Sequence, residues 1–381
     1  MRVGVFIPTL NVYGGAEYVA IVIANALAQN GYQVVLFTNN RVNRQEIGKF
    51  FTIDFDSSIK VIVKPSLVRP YYLLDFYQTI FRSYIFKSKC DVWVDVYSRR
   101  IFPWTNVAYI HFPFSNHFDY RKKFPYLKSR RLIQVCAAPY VVFERNFVDG
   151  NKKLILANSR YTAGEIENFL GLKAEVLYPP VSSANFISNV QDLAEKEREN
   201  LVVTISRFRS SKRLEKIPYI ASLTGSNTHF VIIGRIYDNV TLNTFLSLQR
   251  LTKKLNLTDR VKFLPEASRL EVKKTLKIAK VYLHTSVGEH FGISIAEAMA
   301  MGCIPIVHDS GGPREFVPEE LRYKSINGAA EKITKEINVW SPQKALKMVK
   351  IAEKFKEENF CNNFIRFFNR YIEETSIKRE T

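Results

Sequence analysis

Apolar and polar residues alternate over the first forty residues in a way that predicts a strand, a helix and a second strand. Residues 3–7 form an apolar run rich in β-branched side chains, which is typical of a strand buried on both faces. Apolar residues then recur at helical spacing between Val19 and Leu27, and Gly31 stands where a helix would end. Residues 33–37 form the second apolar run. A parallel strand–helix–strand unit is the expected arrangement.

The same alternation begins again near residue 201 and predicts a second domain. The first strand of this half should be followed by a helix that starts near Lys212. The apolar runs that predict its strands are 201–205, 230–234, 261–264, 281–284 and 304–307. Strands that alternate with helices in two separate stretches indicate an α/β protein with two doubly wound, Rossmann-like domains.

A proline pair and a polar stretch mark the boundary between the two halves. Pro179 and Pro180 interrupt regular structure, and the polar residues that follow are typical of a connection. The expected domains are 1–180, 181–355 and a C-terminal helix over 356–381. This helix has to pack against another surface, because it carries a stripe of aromatic residues. They are Phe360, Phe364, Phe367, Phe368 and Tyr371.

Composition and charge narrow the class of protein. Basic residues number 55 and acidic residues 36, and the net charge of +19 favours a polyanionic partner such as nucleic acid, an anionic membrane or a phosphorylated substrate. No signal peptide and no apolar run long enough to span a membrane is visible, so we expect a cytoplasmic protein. The cysteines are scattered without zinc-site spacing, which indicates a reducing compartment. They are Cys90, Cys136, Cys303 and Cys361.

Polar and glycine-rich clusters follow several predicted strands, and ligands bind at that edge of open α/β sheets. A glycine pair before a helix, at Gly14 and Gly15, lets the backbone approach an anion, although a plain tight turn also explains it. Arg207 and Lys212 suit a diphosphate, or are simply solvated charges. The glycines of 310–315 form either another anion-binding turn or an ordinary loop.

The segment 289–297 is the most specific of these clusters. Glu289 and Glu297 bracket a Phe-Gly-Ile sequence, and we expect a helix to begin near Gly292. Glu289 would then stay in the loop while Glu297 lies on the helix. Carboxylates accept hydrogen bonds from sugar hydroxyls, and backbone N–H groups at the helix start would face a polar ligand between the two acids.

Together these clusters resemble the retaining GT-B glycosyltransferases of family 4, in which the E-x7-E element is the most specific motif. The segments 109–113, 158–162, 178–180 and 308–313 are similar to the α-1,2-mannosyltransferases that extend a dolichyl-diphosphate-linked oligosaccharide. The resemblance implies two Rossmann-like domains that face a cleft. The N-terminal domain would bind the acceptor, the C-terminal domain would bind a nucleotide sugar, and the C-terminal helix would return to the N-terminal domain.

The resemblance also implies a reaction and roles for individual residues. A hexose, mannose from GDP-mannose, would pass with retention to a polyprenyl-diphosphate-linked glycan at the cytoplasmic membrane face. The implied catalytic residues are His111, Arg207, Lys212 and Glu289. The implied donor-binding residues are Gly14, Gly15, Arg207, Lys212, Glu289, Phe291, Gly292, Ile293 and Glu297.

In enzymes of this family the two basic residues neutralise the departing diphosphate, a role that favours the transition state electrostatically. Glu289 would contact the hexose hydroxyls and Glu297 the ribose hydroxyls. His111 would face the donor sugar near the acceptor, and the glycine pair would lie against the diphosphate.

The family works without a metal or another cofactor, and the nucleotide sugar is a substrate. Asp54 and Asp56 do spell a DxD sequence, which other glycosyltransferase folds use to hold a metal. We interpret it as coincidence, because Ser57 and Ser58 follow in a predicted surface turn. The donor base cannot be read from the sequence, so a family 4 enzyme that uses another donor, such as UDP-glucose, stays an alternative.

Two neighbouring segments concentrate basic and aromatic residues. Residues 121–131 contain six basic side chains, and seven aromatic residues crowd 71–86. Such a combination suits an anionic membrane surface or a nucleic acid, and a buried aromatic helix beside a solvated loop is the plain alternative. Beside the resemblance to glycosyltransferases, peripheral binding to a membrane that holds the acceptor explains it better. We expect no nucleic-acid partner, which would leave the E-x7-E element unexplained.

Overall fold

The computed structural model describes residues 1–11, 14–63, 72–98, 101–111, 150–182, 193 and 198–380. The chain divides into two compact units. The first comprises Met1–Pro180 together with Glu357–Thr381, and the second comprises Val181–Lys356. Each unit is described below by itself.

The described part of the first unit contains a parallel sheet of seven strands. The strands are β1 (Arg2–Phe6), β2 (Gln33–Thr38), β3 (Lys60–Val63), β4 (Val92–Ser98), β5 (Val107–Ile110), β6 (Leu154–Ala157) and β7 (Glu175–Val176). Their order across the sheet is β3-β2-β1-β4-β5-β6-β7. The helices between them are α1 (Gly15–Gln29), α2 (Arg44–Phe51), α3 (Tyr72–Lys87) and α4 (Arg160–Leu170).

The second unit has a parallel sheet of six strands in its described part. The strands are β8 (Glu199–Ile205), β9 (His229–Gly234), β10 (Val261–Pro265), β11 (Ala279–His284), β12 (Ile304–His308) and β13 (Arg322–Tyr323). Their order is β10-β9-β8-β11-β12-β13. The helices are α5 (Lys216–Ser222), α6 (Asn239–Lys254), α7 (Arg269–Ile278), α8 (Ile293–Ala300), α9 (Ile326–Asn338) and α10 (Pro342–Ala352).

These two sheets confirm the predicted α/β class, and the reason lies in the apolar runs. In β1 the residues from Val3 onward are buried, as expected where helices cover both faces of a parallel sheet. Helix α1 is buried from Glu17 to Leu27, and Gly31 follows its end with φ +83°, a conformation that favours glycine. The order of the second sheet reverses between β8 and β11, and ligands of open α/β sheets bind beyond such a point.

The helix expected near Lys212 begins later than predicted. Residues Ser210–Lys212 form a short 3-10 turn, and α5 starts at Lys216. Arg213, which lies between them, has φ +52°, in the left-handed region that a continuous helix does not enter. The backbone therefore changes direction after Lys212 before the helix begins.

The C-terminal helix α11 (Glu357–Glu380) packs within the first unit. Its aromatic stripe enters the core that also contains α1 and the central strands. Hydrogen bonds support the packing: the Tyr18 hydroxyl bonds the Glu357 carboxylate, and the Tyr32 hydroxyl donates to Asn369 Oδ1 over 2.7 Å. The buried members of the stripe are Phe360, Phe364, Phe368 and Tyr371, while Phe367 is partly buried.

None of the helices in the described ranges combines the length and the apolar character that crossing a membrane requires.

Replacing Phe364 by alanine is expected to lower the free energy of unfolding of the first unit by about 3–5 kcal/mol, because the fully buried ring would leave a cavity. The measurement is guanidinium denaturation followed by tryptophan fluorescence in a Trp340→Phe background. The remaining tryptophans, Trp93 and Trp104, both belong to the first unit and report on it alone.

The matched control is Glu358→Ala, an exposed position on the same helix, which should change stability by less than about 0.5 kcal/mol. Equal effects of the two substitutions would contradict the packing of α11 described above.

Candidate functional site

Glu289 is the centre of a group of polar side chains at the carboxyl edge of the second sheet. Its Oε2 atom lies 2.5 Å from Nζ of Lys212 and 2.9 Å from Nε2 of His284. The side chain is 14% exposed, and that of Lys212 is 20% exposed. The pair is therefore largely shielded from water, where an ion pair is stronger than at an open surface.

The ionisation of Glu289 follows from these neighbours. Burial by itself raises the pKa of this carboxyl, but the Lys212 ammonium and the hydrogen bond from His284 outweigh it. His290 adds to the lowering, and the pKa of Glu289 is held well below its usual range. The side chain is consequently an anion whose oxygens can only accept hydrogen bonds.

Topology explains why Lys212 and Glu289 meet although 77 positions separate them. Strands β8 and β11 are parallel neighbours, so the loops that follow them emerge side by side. Thr285, directly after β11, donates a hydrogen bond of 2.7 Å from Oγ1 to the carbonyl oxygen of Lys212. This bond fixes the loop that carries the ammonium.

A second loop is pressed against the Glu289 loop. The N–H of Gly312 donates to the Glu289 carbonyl over 2.8 Å, and the N–H of Gly288 donates to Ser310 Oγ over 2.8 Å. A Cβ atom added at Gly311 would lie 2.2 Å from the Glu289 carbonyl oxygen, and one at Gly312 would lie 2.0 Å from that of His290. Close backbone approach between the two loops thus requires both glycines.

His308 and Tyr323 support the same edge of the sheet. Nδ1 of His308 lies 2.8 Å from Ser310 Oγ, and the Tyr323 ring meets His308 edge-on. Burial and the nearby Arg213 guanidinium lower the pKa of His308, against the opposing effect of Asp309. The hydroxyl of Tyr323 donates to the carbonyl of His284 over 3.2 Å.

Helix α8 carries the second acid of the E-x7-E element, as predicted. Gly292, with φ +92°, precedes the helix, and Glu297 lies on it. Glu297 Oε1 accepts a bond of 3.0 Å from Nη1 of Arg269. The Phe291 ring is buried against Phe316 and Phe355, so its side chain is a core anchor.

The start of α8 adds backbone N–H donors to this edge of the sheet. The first N–H groups of any α-helix have no acceptor within the helix, which applies to Ile293 and its successor here. They lie directly after the Glu289 loop in the chain.

Arg207 lies in the loop that follows β8, with an exposed side chain. Within the described ranges no ion pair is formed by it. The structure therefore brings Lys212 and Glu289 together, while Arg207 follows the same strand without a side-chain hydrogen bond or ion pair to them.

Gly14, Gly15 and His111 belong to the first unit. Gly14 precedes α1 and donates its N–H to Glu17 Oε2 over 2.9 Å, so this donor is already satisfied, and Gly15 is the first residue of the helix. His111 follows β5, and its carbonyl accepts a bond of 3.3 Å from Thr162 Oγ1.

Sequence reasoning missed three contributors to this site: His284, Thr285 and Arg269. His284 ends the apolar run 281–284, five positions before Glu289. A polar residue at the carboxyl end of a buried strand is the signal that could have identified it.

In the part of the chain that the structure describes, no group of three or more acidic, histidine or cysteine side chains is placed to hold a metal ion. The DxD sequence forms a turn: Asp56 Oδ1 accepts a bond of 2.8 Å from the Ser58 N–H, and Phe55 between the two acids is buried in the core. Cys90, Cys303 and Cys361 are free thiols.

Part of the predicted basic and aromatic surface lies outside the described residues, namely 121–131 and Tyr71. The later turns of α3 are described. There Phe81 is 64% exposed and Tyr84 is 56% exposed, and Ile85 is also exposed, whereas Phe86 is buried. The exposed three share one face, because residues three and four apart are neighbours on a helix.

Comparison with known families gives two adjoining matches. The family model for glycosyl transferases group 1 matches residues 185–358. The model for glycosyltransferase family 4 matches residues 13–184. The two matches together run from residue 13 to residue 358.

Individual relatives with similar sequences are also named as glycosyltransferases. The GDP-Man:Man(3)GlcNAc(2)-PP-Dol alpha-1,2-mannosyltransferase of Dictyostelium discoideum is 28% identical over 263 residues, which are 62% of this chain and 51% of that protein. The human alpha-1,3/1,6-mannosyltransferase ALG2 is 27% identical over 256 residues, which are 59% of this chain and 60% of that protein. The chain thus spans about half the length of the Dictyostelium relative.

A solved structure supports the fold. The crystal structure of Anabaena HepE in complex with UDP matches with a TM-score of 0.70 and 15% identity, over 97% of this chain and 100% of that one.

Gly312→Ala is expected to destabilise the second unit by roughly 1–3 kcal/mol, because the new Cβ would overlap the His290 carbonyl and force the two loops apart. Thermal unfolding of the purified variant would measure the change. Gly164→Ala in α4 is the control: an added Cβ meets nothing within 4 Å there, and alanine should raise stability by about 0.5–1 kcal/mol. A neutral Gly312→Ala would contradict the contact between the loops.

Proposed function

Since the chain belongs to the GT-B glycosyltransferases, as the adjoining family matches over 13–358 establish, we propose that it transfers mannose from GDP-mannose with retention. The acceptor in this proposal is a polyprenyl-diphosphate-linked glycan. The observation that carries it is the pairing of Lys212 with Glu289, largely shielded from water, at the reversal point of the second sheet. A cation and an anion side by side suit a donor that combines a diphosphate with a hydroxyl-rich sugar.

The Lys212 cation would stabilise the leaving group, which is the nucleoside diphosphate. Cleavage of the bond between the sugar and the diphosphate leaves additional negative charge on the diphosphate oxygen. Lys212, with Arg207 from the same loop, would stabilise that charge, and fixed charges in a shielded site cost little reorganisation during the reaction. We accordingly propose that these two side chains act without a metal ion or another cofactor.

The acids orient the donor. Glu289 is ionised and can accept hydrogen bonds from two hydroxyls of the hexose. Glu297, held by Arg269, would accept from the ribose. Holding the sugar at both ends fixes its reactive carbon relative to the acceptor, which reduces the entropy lost on the way to the transition state.

The donor and acceptor are proposed by similarity. The names of the Dictyostelium and human relatives describe mannosyltransferases, and the former uses GDP-mannose and a dolichyl-diphosphate glycan. The segments 289–293 and 308–313 of this chain carry the same likeness. A donor such as UDP-glucose is the alternative that the first experiment below separates.

We also propose that the protein binds an anionic membrane surface peripherally, at the cytoplasmic face, where a lipid-linked acceptor would lie. The net charge of +19 supports this, and so does the exposed apolar face of α3 formed by Phe81, Tyr84 and Ile85. Lys87 follows on the same helix with its ammonium 5.8 Å from the Tyr84 ring centre. Aromatic rings beside basic groups suit the headgroup region of a bilayer.

Purified protein should transfer mannose from GDP-mannose to a polyprenyl-diphosphate-linked glycan with retention, and EDTA should not abolish the transfer. Product analysis by mass spectrometry and NMR checks both the sugar and the anomeric configuration. Transfer from UDP-glucose in place of GDP-mannose would establish the alternative donor.

The control variant for this experiment is Glu289→Gln. It should lower turnover roughly 100-fold, since an acceptor of hydroxyl hydrogen bonds is weakened, while free GDP still binds. Normal turnover in this variant would contradict the assignment of Glu289 to the sugar.

Vesicles that contain anionic lipid should bind the protein at low salt and release most of it near about 0.5 M salt, where charges are screened over a few ångströms. Replacing Phe81 and Ile85 by serine should weaken binding, because their apolar surface would no longer enter the bilayer interface. The matched control is Leu223→Ser with Leu270→Ser, two exposed leucines of the second unit. Equal losses in both double variants would contradict a role for α3.

A further inference from the structure

We propose that His284 is a positioning residue that holds the Glu289 carboxylate in place through its Nε2–H group while the donor sugar is bound. The inference rests on the proposed function, because it acts on the donor through Glu289. It adds to the reaction a side chain with no direct contact to substrate.

Geometry supports this role first. The His284 side chain ends β11 and is only 4% exposed, and its Nε2 lies 2.9 Å from Glu289 Oε2. Strand β11 is paired on both sides, with β8 and β12, so the backbone that carries the imidazole is held from both edges. Tyr323 adds a hydrogen bond to the carbonyl of His284.

The position of the proton on the imidazole follows from its two surroundings. Glu289 is an ionised carboxylate and can only accept, so Nε2 is the donor. The other nitrogen, Nδ1, is buried, and no described residue is its hydrogen-bond partner. A proton there would be a buried donor without an acceptor, which is costly. His284 is therefore a buried donor whose Nε2–H group is aimed at one oxygen of Glu289.

Chemistry explains why two donors on one oxygen are useful. Lys212 is the group that a donor diphosphate would attract, so the diphosphate and Glu289 compete for its ammonium. A carboxylate held by Lys212 alone would lose its orientation as the lysine turned toward the phosphates. His284 is buried and is carried by a strand that is paired on both sides, so a diphosphate would not draw it away from Glu289. It keeps Glu289 aligned with the sugar hydroxyls when the lysine moves.

The test compares three variants in the intact protein. His284→Leu removes the donor at similar volume, and His284→Gln restores an N–H donor at about the reach of Nε2. Thr204→Val is the matched structural control. It removes a buried hydrogen bond of 2.8 Å from β8 to the carbonyl of Leu283, the residue before His284 on β11, and it leaves the hydrogen bonds of Glu289 in place.

We expect His284→Leu to lower kcat roughly 10- to 100-fold, as misplacement of a positioning group does, and His284→Gln to recover most of it. GDP, which has no hexose, should bind both variants within about twofold of the parent, because Glu289 is assigned to the sugar. Thr204→Val should lower Tm yet leave kcat near that of the parent.

Three results would overturn the assignment. They are an unchanged kcat in His284→Leu, a His284→Gln variant as impaired as His284→Leu, and a loss of kcat in Thr204→Val that matches its loss in His284→Leu. Failure of the proposed function is distinguishable from these: a parent protein that transfers no sugar from any nucleotide donor overturns both, whereas an active parent with an indifferent His284 overturns only this inference.

Discussion

One carboxylate oxygen, Oε2 of Glu289, accepts hydrogen bonds from two side chains. One is the Lys212 ammonium in the loop after β8, and the other is the His284 imidazole at the end of β11. The two donors can converge because these strands are parallel neighbours and their loops leave the sheet at the same edge. An unpaired carboxylate at this depth would be strongly disfavoured. The position of the Glu289 loop therefore depends on its charged and polar partners, and their pairing depends on the position of the loop. The glycines at 311 and 312 complete the arrangement, since any side chain there would push the Glu289 loop away from its partners.

The carboxyl edge of the second unit therefore combines two kinds of support. Backbone contacts set the loops against one another, and charges set the orientation of the side chains within them. Tyr323 contributes to both the backbone and the side-chain support. Its hydroxyl donates a hydrogen bond to the His284 backbone, and its ring lies against the His308 side chain. A site built in this way has its polar groups oriented by the folded sheet before any ligand arrives, which is the condition under which electrostatic stabilisation is most effective.

Strands β1, β2 and β8 to β12 could be predicted from the sequence, because buried strands in parallel sheets require apolar runs such as 3–7 and 201–205, whereas β3 to β7 and β13 were not predicted. The start of α5 could not, since the positive φ of Arg213 is not visible in an apolar pattern. Glu289 was predicted from its motif, but His284 was not, because its importance comes from a neighbour in space. The use of Gly311 and Gly312 likewise depends on which backbone they meet.

The return of α11 to the first unit makes that unit discontinuous in sequence, with the whole second unit inserted between its parts. Residues 181–356 form a continuous stretch, so the second unit has all of its residues once position 356 has been synthesised. The core of the first unit, by contrast, includes Phe360, Phe364 and Phe368, so it is incomplete until residues 357–380 have been added. The first unit, although most of its chain is synthesised first, is therefore the last to have all of its residues available for folding. Until then the buried face of α1 is exposed to chaperones and to other nascent chains.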